Sequence, residues 1–362
     1  MVRKIFIKKM GNNAQSGSRS VLGQHKRLAV GASIAAMLAF AISCTSVPRY
    51  ARQGDFAGVG SEFSGEIVEA HRNALRGLGP RWPGTQADEI ARAYLVRGFR
   101  SHGAKTRRVS GPSEGSAALA KATHAGREHV IAEIPGNSDD VLLVVAAYPV
   151  LGSSNRIDDT GAAVLLELAR AFETTTPAYG LRFALAEVRP AARVQAGDAQ
   201  EAVDIGAWDR VETDDAARKL VIDGGRSLAA TIRDERETSH IRAVIVLDLS
   251  ADAPLRFSRD LRSHPGFREL FWDSAARYGQ ESMFPRDANW TASGRLQLVF
   301  REAGVDRVLA LVSDRTSAHS DAINAGRAAG PSTEEVTSFG RIMADGLTQL
   351  MHRFERVDAF SR

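Results

Sequence analysis

The chain has 362 residues, of which 44% are hydrophobic and 25% are charged, a composition typical of globular proteins and not of disordered or fibrous ones. Its net charge of +4 comes from the first 43 residues, which hold seven basic residues and no acidic one, so the remaining residues carry a net charge of −3. This distribution gives no electrostatic reason to expect DNA or RNA as a partner.

Residues 1–43 are predicted to be a secretion leader. A basic segment precedes the apolar run Leu28–Ser43, which is shorter than a membrane span of roughly 20 residues. The run ends at Cys44 and resembles a bacterial lipoprotein signal, in which this cysteine is lipidated, although Ala41 stands where leucine is usual. An ordinary cleaved signal peptide and an N-terminal anchor are the alternatives. We expect an envelope protein, held by Cys44 at a periplasmic or outer-membrane face, with residues 44–64 as a tether.

Two amphipathic helices are predicted between residues 65 and 103. Their apolar positions are Ile67, Ala70, Ala74 and Leu75 in the first helix, and Ile90, Ala91, Tyr94 and Leu95 in the second. The turn between them is rich in glycine and proline, and Thr85 at its end can cap the second helix.

The rest of the chain alternates between predicted strands and helices. Two runs rich in β-branched residues predict strands at Val130–Ile134 and Val141–Ala147, and near-continuous apolar runs predict strands at Leu181–Ala186 and Ala243–Leu249. A short helix and strand are predicted within Phe300–Leu311. Apolar residues at helical spacing predict helices at Gly161–Phe172, His264–Gly279 and Thr333–Phe354. This order predicts a three-layer α/β/α sandwich with a central, mostly parallel mixed sheet over residues 65–356. Residues 189–240 are predicted to form a divergent surface insertion, and 357–362 a tail.

Several segments resemble the zinc aminopeptidase and glutaminyl cyclase family. The pattern Gly-Pro-Arg-x-Pro-Gly-Thr at 79–85 is followed by Ala-x-x-Tyr-Leu at 91–95, and Val246–Leu249 is similar to the family's Leu-Asp-Leu segment. The resemblance covers nearly all of the chain after the tether. It implies a zinc-exopeptidase-like fold and chemistry at a peptide amino terminus, with zinc polarising a carbonyl group.

The resemblance also implies where zinc ligands should lie, and the first of these positions is altered. The family's first histidine corresponds to Ala147, and the aspartate two residues later corresponds to Pro149. A methyl group cannot donate to a metal ion. The bridging aspartate corresponds to Asp158 if the loop has lost one residue, but Asp158 or Asp159 would equally serve as a cap for the following helix.

The later ligand positions give a mixed result. The family's general base and its neighbouring glutamate ligand correspond to Arg189 and Pro190, and Glu187, two residues earlier, could substitute only after a register shift. Asp248 is retained at the end of a predicted strand. His319, in Ser-Ala-His-Ser-Asp, resembles the terminal histidine ligand, although a lone histidine is also a common surface residue.

These substitutions predict a pseudoenzyme that has lost zinc catalysis, needs no cofactor, and binds a peptide or an envelope protein. Arg189 is expected to replace the lost metal charge by pairing with Asp158 or Asp248. The alternative is an active zinc-dependent aminopeptidase or glutaminyl-peptide cyclotransferase, with one zinc ion held by His319 together with Asp158, Glu187 or a donor outside the motif.

Other motifs do not suggest a different enzyme. The sequence has no Walker-type phosphate loop and no His-Glu-x-x-His. Cys44 is the only cysteine, which excludes an intrachain disulfide and a cysteine-based zinc site. His124, His129 and His240 show no metal-binding spacing and are predicted to lie on the surface, and Gly224-Gly225 is predicted to be a turn.

Overall fold

The structure is a computed structural model that describes residues 58–79, 81, 84–111, 127–149, 159–188, 214–249, 254–287, 296–313 and 331–360. All of these residues belong to one compact unit, Gln53–Arg362. Cys44, Asp158, Arg189 and His319 lie outside the described residues, as do the leader and His124. Among the described helices, none has the length and apolar character needed to span a bilayer.

One six-stranded mixed sheet forms the centre of the described fold. Its strands are β1 (Lys105–Gly111), β2 (Arg127–Ile134), β3 (Val141–Pro149), β4 (Gly180–Val188), β5 (Ile241–Asp248) and β6 (Val308–Val312). The strand order is β1-β2-β4-β3-β5-β6. β1, β2 and β4 pair antiparallel, whereas β4, β3, β5 and β6 pair parallel. The parallel strands therefore end at a common edge of the sheet.

Helices cover both faces of this sheet. They are α1 (Val59–Glu62), α2 (Gly65–Arg76), α3 (Gln86–Ser101), α4 (Thr160–Phe172), α5 (Asp214–Asp234), α6 (Pro265–Arg277), α7 (Leu296–Glu302) and α8 (Thr333–Phe360), with a 3-10 turn at Glu237–His240. Helices α1 to α4, α6 and α8 share one apolar core with the sheet, and α5 and α7 share a second core on the opposite face.

The alternation of side chains along β3 explains the two cores. Leu142, Val144 and Ala146 belong to the first core, whereas Leu143 and Val145 belong to the second. A strand that is buried on both faces needs a continuous apolar run, which is the pattern that the sequence shows here. The predicted three-layer α/β/α fold with a mostly parallel mixed sheet is confirmed.

Two boundary predictions change. The predicted surface insertion at 189–240 is wrong for its second half, because α5 packs on the sheet and buries Leu228 and Ile232 in the second core. Gly224 and Gly225 lie inside this helix and do not form a turn. At the other end, the folded unit begins before residue 65, because Val59 belongs to the first core.

Candidate functional site

The parallel strands bring three polar side chains to the same edge of the sheet. Tyr148 lies near the end of β3, Glu187 near the end of β4 and Asp248 at the end of β5, and all three are buried. Alternation places Glu187 on the face that packs against α3, where Arg92 contacts it, and Asp248 on the opposite face with Val246. The carboxyl-terminal edge of a parallel sheet is where α/β domains usually bind ligands, which makes this edge the candidate site.

Arg92 of α3 extends to this edge and contacts two carboxylates, that of Asp88 in the same helix and that of Glu187 in β4. Its Nε donates to Asp88 Oδ1 at 3.0 Å, and its Nη2 donates to Glu187 Oε2 at 2.8 Å. The guanidinium carbon lies 4.8 Å from the centre of the Tyr148 ring, and the Tyr148 hydroxyl donates to Asp88 Oδ1 at 2.9 Å. Arg92 is therefore held in place by ion pairs and by a cation–π contact.

A second buried ion pair lies beside the first. Arg81 Nη2 donates to Asp159 Oδ2 at 2.6 Å, and the Arg81 guanidinium lies 5.5 Å from the centre of the Tyr148 ring. Asp159 is the N-cap residue of α4, but its side chain makes no capping hydrogen bond. Its carboxylate pairs with an arginine instead of with the helix end.

These groups, together with Arg127, form what we call the buried ion cluster, which consists of Arg81, Asp88, Arg92, Arg127, Tyr148, Asp159 and Glu187. Its three arginines balance its three carboxylates. Burial opposes the charges of Arg81 and Arg92, but Asp159 and Glu187 outweigh this penalty, so the pKa of each guanidinium lies above its usual value. Burial raises the pKa of Tyr148, which stays a neutral hydroxyl donor.

The main chain at Glu187 is held by side chains where the β2–β4 ladder ends. The Glu187 N–H donates to His129 Nδ1 at 3.0 Å, and Arg127 Nη1 donates to the Glu187 carbonyl oxygen at 3.4 Å. Helix α5 also packs closely here, since a Cβ added at Gly224 would lie 2.6 Å from that carbonyl oxygen. The end of β4 is thus fixed from both faces of the sheet.

His129 is a correction to the sequence analysis, which expected a surface residue. It is fully buried, and its Nε2 lies 3.0 Å from Ser227 Oγ. Because Nδ1 accepts from the main chain, the neutral ring carries its proton on Nε2 and donates it to Ser227. His129 therefore cannot act as a base toward that serine. His240, in contrast, is exposed as predicted.

The ligand positions named from the sequence divide into two groups. Glu187 and Asp248 are buried at strand ends, and Ala147 lies on β3 next to Tyr148, in register with Ala186 of β4. Asp158, Arg189 and His319 lie outside the described residues. The predicted pairing of Arg189 with Asp158 or Asp248 therefore stays a prediction.

The arginines of the buried ion cluster were not predicted from the sequence to be buried or to form ion pairs. Arg92 lies on the buried face of α3 together with Asp88, Ala91, Leu95 and Phe99, which are spaced as one helical stripe. Ile90 was predicted to lie on the apolar face of this helix, but its side chain is exposed. An acid and an arginine four residues apart within an apolar stripe were the signal for a buried pair.

The described residues do not fit a zinc ion. Zinc needs lone pairs from ionised carboxylate or neutral imidazole, but Glu187 and Asp88 already accept hydrogen bonds from Arg92, and Ala147 has no donor atom. The charges of the buried ion cluster already balance, so its guanidinium groups would repel an added zinc dication. Within the described part of the chain, no three His, Cys, Asp or Glu side chains are arranged to hold a metal.

Several solved structures have a fold similar to that of this chain. A leucine aminopeptidase precursor from Bacteroides thetaiotaomicron is 14% identical, with a TM-score of 0.59 over 79% of this chain and 97% of that one. The glutaminyl cyclase of the same organism, solved with N-acetylhistamine bound, is 14% identical, with a TM-score of 0.58 over 79% and 98%.

The glutaminyl cyclase of Fimbriiglobus ruber is 17% identical, with a TM-score of 0.58 over 84% of this chain and 98% of that one. Neither a protein-family model nor a curated protein sequence matches this chain. The chain therefore has the fold shared by this leucine aminopeptidase precursor and these glutaminyl cyclases.

Proposed function

We propose that this protein is an envelope lipoprotein whose peptidase-like and cyclase-like domain has lost zinc catalysis and binds a peptide or a protein. The observation that carries the proposal is the pairing of Arg92 with Glu187 and Asp88 at the carboxyl-terminal edge of the sheet. A carboxylate that is buried and hydrogen-bonded to a guanidinium group is a poor metal ligand, because binding a metal would require breaking the ion pair.

The same pairing argues against Glu187 as a general base. Its Oε2 accepts from Arg92 Nη2 and, at 2.6 Å, from the Glu128 N–H. These two hydrogen bonds occupy both lone pairs of that oxygen, so it cannot accept a proton from a water molecule without breaking one of them. Together with the loss of the first histidine at Ala147, this favours a domain that keeps the fold and does not keep the reaction.

Binding is the role that such a domain retains most easily. The chain has the overall fold of a glutaminyl cyclase that was solved with N-acetylhistamine bound. Ligands of α/β domains bind where the parallel strands end. We therefore place the proposed peptide or protein partner at the edge formed by β3, β4 and β5.

The first experiment tests for catalysis. The purified protein is assayed with peptides that begin with glutamine and with aminoacyl nitroanilides, with and without added zinc, and the Fimbriiglobus ruber glutaminyl cyclase serves as the positive control. We expect no turnover above the buffer background in either condition. Zinc-dependent turnover that is lost in His319→Ala would overturn the proposal in favour of a single-zinc enzyme.

The second experiment tests the anchor. The full chain is expressed in a bacterium that is fed a radiolabelled or alkyne-tagged fatty acid, beside the variant Cys44→Ser. We expect label in the wild-type protein and none in the variant, because Cys44 is the only thiol that could become the lipidated residue. Equal labelling of the two proteins, or no labelling of either, would contradict lipidation at this position.

A further inference from the structure

The guanidinium group of Arg92 has a contact on every side. Besides its bonds to Asp88 and Glu187, its Nη1 donates to the main-chain oxygen of Glu128 in β2, and its face covers the ring of Tyr148. These contacts join α3 to β2, β3 and β4. One side chain thus connects a helix with three neighbouring strands at the edge of the sheet.

This connection lies where main-chain pairing between β2 and β4 stops. The ladder runs from the pair Ile134 and Leu181 to the pair Val130 and Leu185. Beyond it, the Glu187 carboxylate takes over by accepting from the Glu128 N–H at 2.6 Å. Arg92 neutralises that carboxylate, which would otherwise be a buried, uncompensated charge.

We infer that Arg92 is an internal cation that neutralises the buried carboxylates on its own face of the sheet at the carboxyl-terminal edge, so that the fold of this edge is independent of divalent metal. This inference extends the proposed function and rests on it only for the statement that the domain has lost its metal site. The contacts of Arg92 are observed in the structure and do not depend on the proposed function.

The chemistry of the guanidinium group explains why arginine suits this role. It stays charged at every physiological pH, and its planar fork directs separate N–H groups at Asp88, Glu128 and Glu187 while its face stacks on Tyr148. Lysine carries the same charge but has no fork and no flat face, so it cannot keep all four contacts. Arg92→Lys therefore separates the role of charge from the role of geometry.

The test measures the Tm of the full chain with and without EDTA, and compares Arg92→Lys and Arg92→Met with the control Arg108→Met. Arg108 is the matched control because it also pairs with two glutamates, but at the protein surface. We expect the wild-type Tm to be unchanged by EDTA. We expect Arg92→Met to lose roughly 10 °C, Arg92→Lys to lose less because it keeps the charge but not the fork, and the control to lose at most about 2 °C.

Two outcomes would overturn the inference: a wild-type Tm that falls in EDTA and recovers with zinc, or Arg92 variants as stable as the control. If Arg92→Met does not fold, the triple variant Arg92→Met/Asp88→Asn/Glu187→Gln removes the arginine together with both carboxylates that it pairs with. The inference then predicts recovery of folding, because neither of these carboxylates is left as an unpaired charge, and failure of the triple variant would count against it. Zinc bound to wild-type protein whose Tm ignores EDTA would contradict the proposed function while supporting this inference.

Discussion

Histidine 71 makes the stability of this protein depend on mildly acidic pH. It is buried in α2, and its Nδ1 lies 2.6 Å from the Tyr94 hydroxyl. Burial, with further contributions from His102 and Arg170, lowers the pKa of His71 from 6.5 to about 4. Between these two values the unfolded chain binds a proton that the folded chain does not bind, so acid favours unfolding. The unfolding free energy should therefore lose roughly 3 kcal/mol from this residue between pH 7.5 and pH 4.

The assay is urea unfolding of the wild type and of His71→Gln at several pH values from 7.5 to 4. Glutamine keeps a hydrogen-bonding group near Tyr94 but does not titrate, so the variant should lose less stability over this range than the wild type, by about the same 3 kcal/mol. His240→Gln, at an exposed position, is the control and should keep the wild-type slope. Parallel slopes for His71→Gln and the wild type would refute the assignment.

Three further predictions concern the sheet edge. Tyr148→Phe should lower the unfolding free energy by about 1 kcal/mol in urea unfolding, because Asp88 loses the hydroxyl donor at 2.9 Å; an unchanged value would mean that this bond contributes nothing. Gly224→Ala should cost roughly 1–3 kcal/mol in the same assay, because its Cβ would lie 2.6 Å from the Glu187 carbonyl oxygen, and a neutral effect would show that α5 can shift freely. Ala147→His should not create zinc binding in a calorimetric titration, because Ala147 packs on the second core, whereas Asp88 and Glu187 lie on the other face of the sheet and are paired with Arg92; tight binding would contradict that reasoning.

The apolar patterns predicted most of the fold. The β-branched runs at 141–147 and 243–249 became the central strands β3 and β5, and the helical stripe at 333–354 became most of α8. Thr85 caps α3 as expected, with its side chain accepting from the Asp88 N–H. These features follow from local sequence, because burial on one or both faces fixes the spacing of apolar residues.

The features that were missed depend on tertiary contacts. Strand β1 (Lys105–Gly111) is a half-exposed edge strand with many polar residues, so its sequence has no apolar run to reveal it. His129 looked like a surface residue because its burial depends on Ser227, which is 98 residues away. The pairing of Arg92 with Glu187 spans 95 residues and cannot be recognised from either position alone.

The central claim is that Arg81 and Arg92, and not zinc, balance the buried carboxylates of Asp88, Asp159 and Glu187 at the end of the sheet. The most direct measurement is the zinc content of the protein, purified without chelator and analysed by inductively coupled plasma mass spectrometry. The account predicts zinc far below one ion per chain, unchanged in His319→Ala. About one zinc ion per chain, removed by His319→Ala, would contradict it.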